Sequence, residues 1–327
     1  MRGVRSRCAA VLRWLLVLSS WACDGPTTRA PSSAPAATAA PARATANLPT
    51  EARPQARLEL GSSPYQATLV LAGSRPALLT TAALHWLDRP GTPPVELPGG
   101  ELAVGAGGSL LRYSSGALRR LKYGESVWST LLRLPQAPRM VAGSGDNVAW
   151  LQQDQPGEAG VLWSLVGAEP RRVAMQPAHI VTMSLRDDRL FFAEELPGSR
   201  WRLGVAPTTA EAPRYSTPFE GRSPAMLVVT SDLFYYDGPR LSVERVSTDL
   251  RRTERIAQDV ICSPLAVAQS VFCAQPGGLL EVPLSGGQAR PLASPQGTVT
   301  ALLATASELF WLREAAGGGL IVEAMSL

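Results

Sequence analysis

Lysine and histidine are nearly missing from this chain of 327 residues. Lys122 is the only lysine beside thirty arginines, and His85 and His179 are the only histidines. A phosphate-cradling loop of the Walker kind needs a glycine-rich turn, then Lys-Ser/Thr, then a helix. None of the glycine clusters, Gly105–Gly108, Gly143–Gly145 and Gly317–Gly319, is followed by such a segment, and all read as hairpin turns. The skew toward arginine fits GC-rich codon usage more simply than a binding role. A serine triad needs a histidine held by an acid. With two histidines and no G-x-S-x-G elbow, both read as packing or surface residues. Zinc would need more ligands than these histidines and two domain cysteines offer. Calcium uses oxygen ligands, but Asp187, Asp188, Asp232 and Asp237 form no D-x-D-x-D loop. The acidic doublets Asp187-Asp188 and Glu194-Glu195 flank Arg189–Ala193 as a candidate acid and base. They equally fit a solvated turn and a strand end, which is the preferred reading. No metal, cofactor or catalytic residue is therefore expected.

A surplus of one charge is also missing from the part that folds. The whole chain is formally +4 with a pI near 9.1. Residues 1–57, however, hold eight arginines against Asp24 and Glu51, which leaves 23 basic and 25 acidic residues beyond them. A near-neutral domain lacks the electrostatic footprint of a nucleic-acid or anionic-membrane binder. The run DLRRTER, Asp249–Arg255, reads as a solvated turn and strand face.

Residues 1–22 have the three parts of an export signal: Arg2, Arg5, Arg7 and Arg13, the apolar Trp14–Leu18, and small residues ahead of Cys23. The nine residues from Trp14 to Ala22 are too few to cross a bilayer, which takes about twenty. Ser20-Trp21-Ala22 suits ordinary cleavage, whereas LSSWAC is similar to a bacterial lipobox, with Ser20 and Trp21 replacing the usual leucine and small residue. Lipidation of Cys23 is the expectation; a secreted protein with a cysteine near its new N-terminus is the alternative. Residues 23–57 are mostly Ala, Pro, Thr and Ser. They read as a disordered tether, unable to bury enough surface to offset ordering entropy. The folded domain is placed at 58–327.

Within it, short apolar strands recur with turn residues between them. A second-strand triplet repeats as Leu84-His85-Trp86, Leu110-Leu111-Arg112, Val148-Ala149-Trp150, Leu190-Phe191-Phe192, Leu233-Phe234-Tyr235, Val271-Phe272-Cys273 and Leu309-Phe310-Trp311. The steps are 26, 38, 42, 43, 38 and 38 residues. Four short strands per unit at about forty residues is the pattern of a β-propeller. The expected fold is all-β, with four-stranded blades, seven favoured and six possible because the first step is short. The last unit runs out of chain before a fourth strand. An N-terminal strand, Gln66–Ala72, is therefore expected to complete it and close the ring.

Units such as Val282-Pro283-Leu284-Ser285-Gly286-Gly287 with Leu309-Phe310-Trp311 resemble the repeat propellers of exported bacterial proteins, distantly similar to YWTD and NHL propellers. The Thr-Asp that follows the aromatic pair in YWTD units is replaced here by Leu312-Arg313 or Tyr236-Asp237. The resemblance implies binding of proteins or ligands and carries no catalytic residue. From the residues themselves, Cys262 and Cys273 are the only cysteine pair inside the domain, and in an exported protein a disulfide between them is expected. The combined expectation is a non-catalytic extracytoplasmic binding or scaffolding protein, membrane-anchored in the periplasm or at the cell surface, with an unidentified protein partner and no nucleic acid. The alternative is a propeller enzyme acting on a carbohydrate or lactone-like substrate.

Overall fold

A computed structural model describes residues 54–327 except 62–66, 73–74, 90, 98–101, 107–108, 123–124, 126, 156–157, 168, 174–177, 210–211 and 225–226; at 72 and 102–106 the backbone alone is described. The chain divides into units 1–47 and 48–327, and the description concerns the second. The expected signal at 1–22, most of the tether and Cys23 lie outside the described residues.

Alternating apolar residues with turn chemistry every few positions produce short antiparallel strands, grouped into seven sheets. From inner to outer strand, blade 1 is Ala67–Ala72, Arg75–Thr80, Ala83–Trp86 and Val95–Glu96. Blade 2 is Leu102–Ala106, Ser109–Ser114, Ala117–Lys122 and Ser129–Arg133. Blade 3 is Met140–Ser144, Asn147–Gln152, Val161–Val166 and Glu169–Arg172. Blade 4 has His179–Arg186, Arg189–Leu196 and Arg200–Pro207, with an outer strand in two pieces, Arg214–Tyr215 and Phe219–Glu220. Blade 5 is Val228–Val229, Leu233–Asp237, Ser242–Val246 and Thr253–Ala257. Blade 6 is Leu265–Val267, Ser270–Gln275, Gly278–Pro283 and Arg290–Ala293. Blade 7 is Val299–Ala304, Glu308–Glu314, Leu320–Ser326 and, from the other end of the chain, Gln55–Leu60.

The inner strand of every blade contacts the inner strands of the blades before and after it, including blade 7 with blade 1. This closes a ring. The protein is a seven-bladed β-propeller.

Packing follows from the second-strand triplet. Its first and third residues point back toward the preceding blade and its middle residue points forward, because strand side chains alternate between faces. Thus Leu309 and Trp311 pack on blade 6, while Phe310 packs on blade 1. Seven apolar clusters result among the described residues, one in each seam between consecutive blades. Burying each such side chain is worth about 1.5–3 kcal/mol.

Two expectations are corrected. Leu84-His85-Trp86 lies on the third strand of blade 1, not the second. The true second strand, Arg75–Thr80, carries no aromatic, and its equivalent triplet is Pro76-Ala77-Leu78. The short first step of 26 residues thus measured from the wrong strand. Turn chemistry explains the error. Thr80 Oγ1 accepts from the Ala83 N–H at 2.9 Å, as Thr305 Oγ1 accepts from the Glu308 N–H at 2.9 Å. The same threonine turn therefore introduces a third strand in blade 1 and a second strand in blade 7.

The closing strand also differs. Ala67–Ala72 is the inner strand of blade 1, and Gln55–Leu60 completes blade 7, entering the propeller ahead of the expected start at residue 58. Its pairing has a bulge between Ala56 and Leu58, and the unpaired residue, Arg57, reaches across to Glu308 Oε1 at 2.6 Å. Beside this strand, Glu323 accepts from Trp311 Nε1 at 2.7 Å and from Arg313 Nη2 at 2.8 Å. The hydrogen bond from Arg313 chiefly holds the Glu323 carboxyl below the usual glutamate range. Glu323 in turn raises the Arg313 guanidinium against the opposing effect of burial, and Glu59 of the closing strand adds to the rise.

Deleting residues 54–60 is expected to abolish the cooperative melt followed by circular dichroism, because blade 7 would lose its outer strand; an unchanged melt would refute this closure. Glu323 has a depressed folded pKa, so its stabilisation is fully present above the unfolded value of about 4.3 and is lost as pH falls through the lower folded value. Glu323→Gln should cost about 1–3 kcal/mol at pH 7. The gap from the parent protein should shrink below pH 4 in denaturant titrations.

Candidate binding surface

The seven inner strands line the central channel, and their composition limits what the channel can do. They contain no carboxylate, cysteine or lysine, and their only ionisable side chains are His179 and Arg186, at opposite ends of the same strand. An eight-residue strand at about 3.3 Å per residue holds those two groups more than 20 Å apart. General acid–base work requires groups within hydrogen-bond reach of one reacting atom, and the inner strands supply no such set.

The face carrying the turns between inner and second strands, called here the lower face, bears an exposed turn of four charged residues in blade 4. A cleft of about 340 Å³ opens there between blades 4 and 5. Its blade 4 wall is the tight turn Arg186–Arg189, above the buried ring of Phe191; its blade 5 wall is Thr230, Ser231 and Thr248. The four turn residues are exposed and of mixed sign. Arg186 Nε lies 3.8 Å from Asp187 Oδ2, a contact worth little in stability at such exposure.

The turn is held by hydrogen bonds on both sides. Asp187 has φ +54°, a left-handed conformation that Asp tolerates better than most residues. Its N–H donates to Ser144 Oγ at 2.8 Å, and its carbonyl accepts from Asn147 Nδ2 at 2.8 Å, both from the first turn of blade 3. The Asp188 carbonyl accepts from the Thr208 N–H at 2.7 Å. The backbone is thus fixed from two sides, and the four charged side chains point outward from it. Next to Thr248, Asp249 is held below the usual carboxylate range, first by the Ser247 hydroxyl and then by the Arg251 N–H.

The structure separates the other candidate residues. Glu194 and Glu195 sit at the far end of their strand from Asp187-Asp188, on the upper face. Glu194 is buried and accepts from Arg202 Nε at 2.8 Å; Glu195 accepts from Ser223 Oγ at 3.0 Å. Asp232 is on the lower face with the doublet, while Asp237 ends its strand on the upper face, 3.3 Å from Arg240. The four aspartates therefore do not converge, and no metal-holding cluster occurs among the described residues. His85 is half-buried in blade 1, with its pKa lowered by burial, and His179 is exposed in blade 4. Gly145 has φ +57° in the first turn of blade 3, and Gly318 has φ +79° in the second turn of blade 7. Both fit the expected hairpins. Of DLRRTER, Leu250 is buried and Arg255 Nε meets Glu244 Oε1 at 3.0 Å, so part of the run is structural. Cys262 and Cys273 form a disulfide that ties the lead-in of blade 6 to its second strand.

Sequence inspection missed the cleft because its hydroxyl wall comes from another blade. The signal that was available is the doubled Arg-Asp motif, Arg186-Asp187-Asp188-Arg189, at a predicted turn.

No protein-family model matches the chain, and comparison with curated proteins finds no match. Solved structures do match. The β-propeller domain of Cps50 (Swd1) from Myceliophteria thermophila aligns over 83% of this chain and 99% of its own, with 10% identity and TM-score 0.58. PorZ, a bacterial surface component of the type-IX secretion system of Porphyromonas gingivalis, aligns over 81% of this chain but 38% of its own, with 12% identity and TM-score 0.53. The nidogen/laminin complex gives 14% identity over 63% of this chain and 85% of that one, with TM-score 0.45. At these identities the first two likenesses speak for the fold alone.

Proposed function

We propose that this protein is a non-catalytic, exported binding or scaffolding propeller that engages a protein partner through the lower face at blades 4 and 5. The observation that carries this reading is the contrast between an inner ring without paired ionisable groups and a hydrogen-bonded rim of mixed charge beside an open cleft. Interspersed Arg and Asp suit a polar protein surface, where complementary charges set register and encounter rate. A small single-sign ligand would find no matching field there. The Cys262–Cys273 disulfide supports export, since such bonds persist in oxidising compartments. PorZ, over a third of whose chain aligns with this fold, is a bacterial surface component of a secretion system, which is a setting of the kind proposed. Lipidation of Cys23 would then hold residues 54–327 outside the cytoplasm on the tether of residues 24–53.

Crosslinking the tagged full-length protein in its native cells, followed by mass spectrometry, should recover a stoichiometric protein partner with crosslinks near the cleft. Arg186→Glu combined with Arg189→Glu should reduce recovery about tenfold or more and shift the melt by no more than about 0.5 kcal/mol equivalent. Equal recovery with the double variant would overturn the assignment of the surface. Intact mass of membrane-fraction protein should show an acyl addition that disappears in Cys23→Ser. An unmodified mass together with release by salt would leave simple secretion as the answer.

A further inference from the structure

Arg112 stands where the other blades place a core side chain. The third residue of the second-strand triplet is Leu78, Trp150, Phe192, Tyr235, Cys273 or Trp311 in the other six blades, and each is buried against the preceding blade. In blade 2 it is Arg112, only 3% exposed. Directly opposite on the third strand is Arg119, so two guanidiniums share the face turned toward blade 1. Trp128 packs into the same seam from the approach to the outer strand.

Nitrogens on all three side chains are buried without a hydrogen-bond partner: Arg112 Nη1, Arg119 Nε and Trp128 Nε1. Burial lowers the Arg112 pKa, the Arg119 charge lowers it further, and no carboxylate contributes an opposing effect. The next residue on the third strand shows the alternative. Arg120, equally buried but facing blade 3, donates from Nη1 to Asp146 Oδ1 at 2.7 Å and from Nη2 to the Asp146 carbonyl at 2.8 Å. The fold supplies a counter-charge on one face of blade 2, and on the other face, among the described residues, it supplies none. A buried, unpaired cation is strongly unfavourable, and a second like charge opposite compounds the cost.

We propose that Arg112, Arg119 and Trp128 form a binding site for a phosphate group in the seam between blades 1 and 2. A dianionic tetrahedral group offsets both cations, and its oxygens can use more N–H donors than a carboxylate can. Arg112 is buried, whereas Arg119 is only partly buried. The site is separate from the cleft of blades 4 and 5, so its failure leaves the binding-module reading intact, and the reverse also holds.

The test is thermal melting of the full-length protein in inorganic phosphate, in a phosphomonoester such as glycerol phosphate, and in chloride at matched ionic strength. A saturable rise in Tm with either phosphate compound over chloride is expected. A response to the inorganic ion points to free phosphate, whereas a response to the ester alone points to a phosphorylated ligand. Arg112→Met should melt higher than the parent in chloride and lose the phosphate response. Arg119→Met, at the less buried position, should weaken phosphate binding about tenfold and serves if Arg112→Met fails to fold. No Tm rise with either compound, or a rise that survives both substitutions, overturns the proposal. Glu101, which precedes the inner strand of blade 2 in sequence, is the control. If Glu101→Gln lowers the melt in chloride and Arg112→Met abolishes that loss, Arg112 has an internal counter-ion and the proposal fails.

Discussion

Each blade of this protein is a sheet with two apolar faces, and neither face can be left to water. That single requirement dictates the ring. A blade covered on one side exposes the forward-pointing residue of its triplet, and a blade covered on the other exposes the two that point back. Only cyclic closure gives all seven sheets a neighbour on both sides. The mean core is therefore not a central mass but seven thin seams, which is how a domain of this length avoids a single oversized interior.

Polar contacts act on top of this packing and decide where blades are pinned. On the lower face, Arg120 reaches Asp146 across the seam of blades 2 and 3, Ser144 and Asn147 grip Asp187 across the next, and Arg245 Nη1 donates to the Leu284 carbonyl at 3.0 Å between blades 5 and 6. The seam between blades 4 and 5 has no such lower-face tie among the described residues, and the cleft opens there.

Six of the seven second strands were legible in the sequence because a Val or Leu opening an apolar or aromatic triplet, broken only by Arg112, recurs at a period near forty. Blade 1 was not, because Arg75–Thr80 packs with Ala77 and Leu78 instead of aromatics, leaving Trp86 on the next strand as the louder signal. The closing strand was hidden for a related reason. QARLEL is an outer strand with only Leu58 and Leu60 turned to the core, so its periodicity is weaker than that of ATLVLA, which must serve as an inner strand. The disulfide was legible from cysteine arithmetic together with the expected export. The cleft was not, since it joins residues about forty to sixty positions apart that share no motif.

The bond from Arg57 to Glu308 joins residues separated by 251 positions. Local hairpins can form as each blade is synthesised, but the outer edge of Leu320–Ser326 has no partner until the two ends of the domain meet. During that interval the molecule is an open arc with a free β-edge at one end and an unattached strand at the other. Loop closure over such a span is slow relative to hairpin formation. At high concentration the free edge of one molecule can accept the first strand of another, giving exchanged dimers or chains built from native pairings. For this propeller, the fate of a newly made chain is therefore a race between intramolecular sealing and capture by a neighbour, and its seven seams are complete only when the first strand wins.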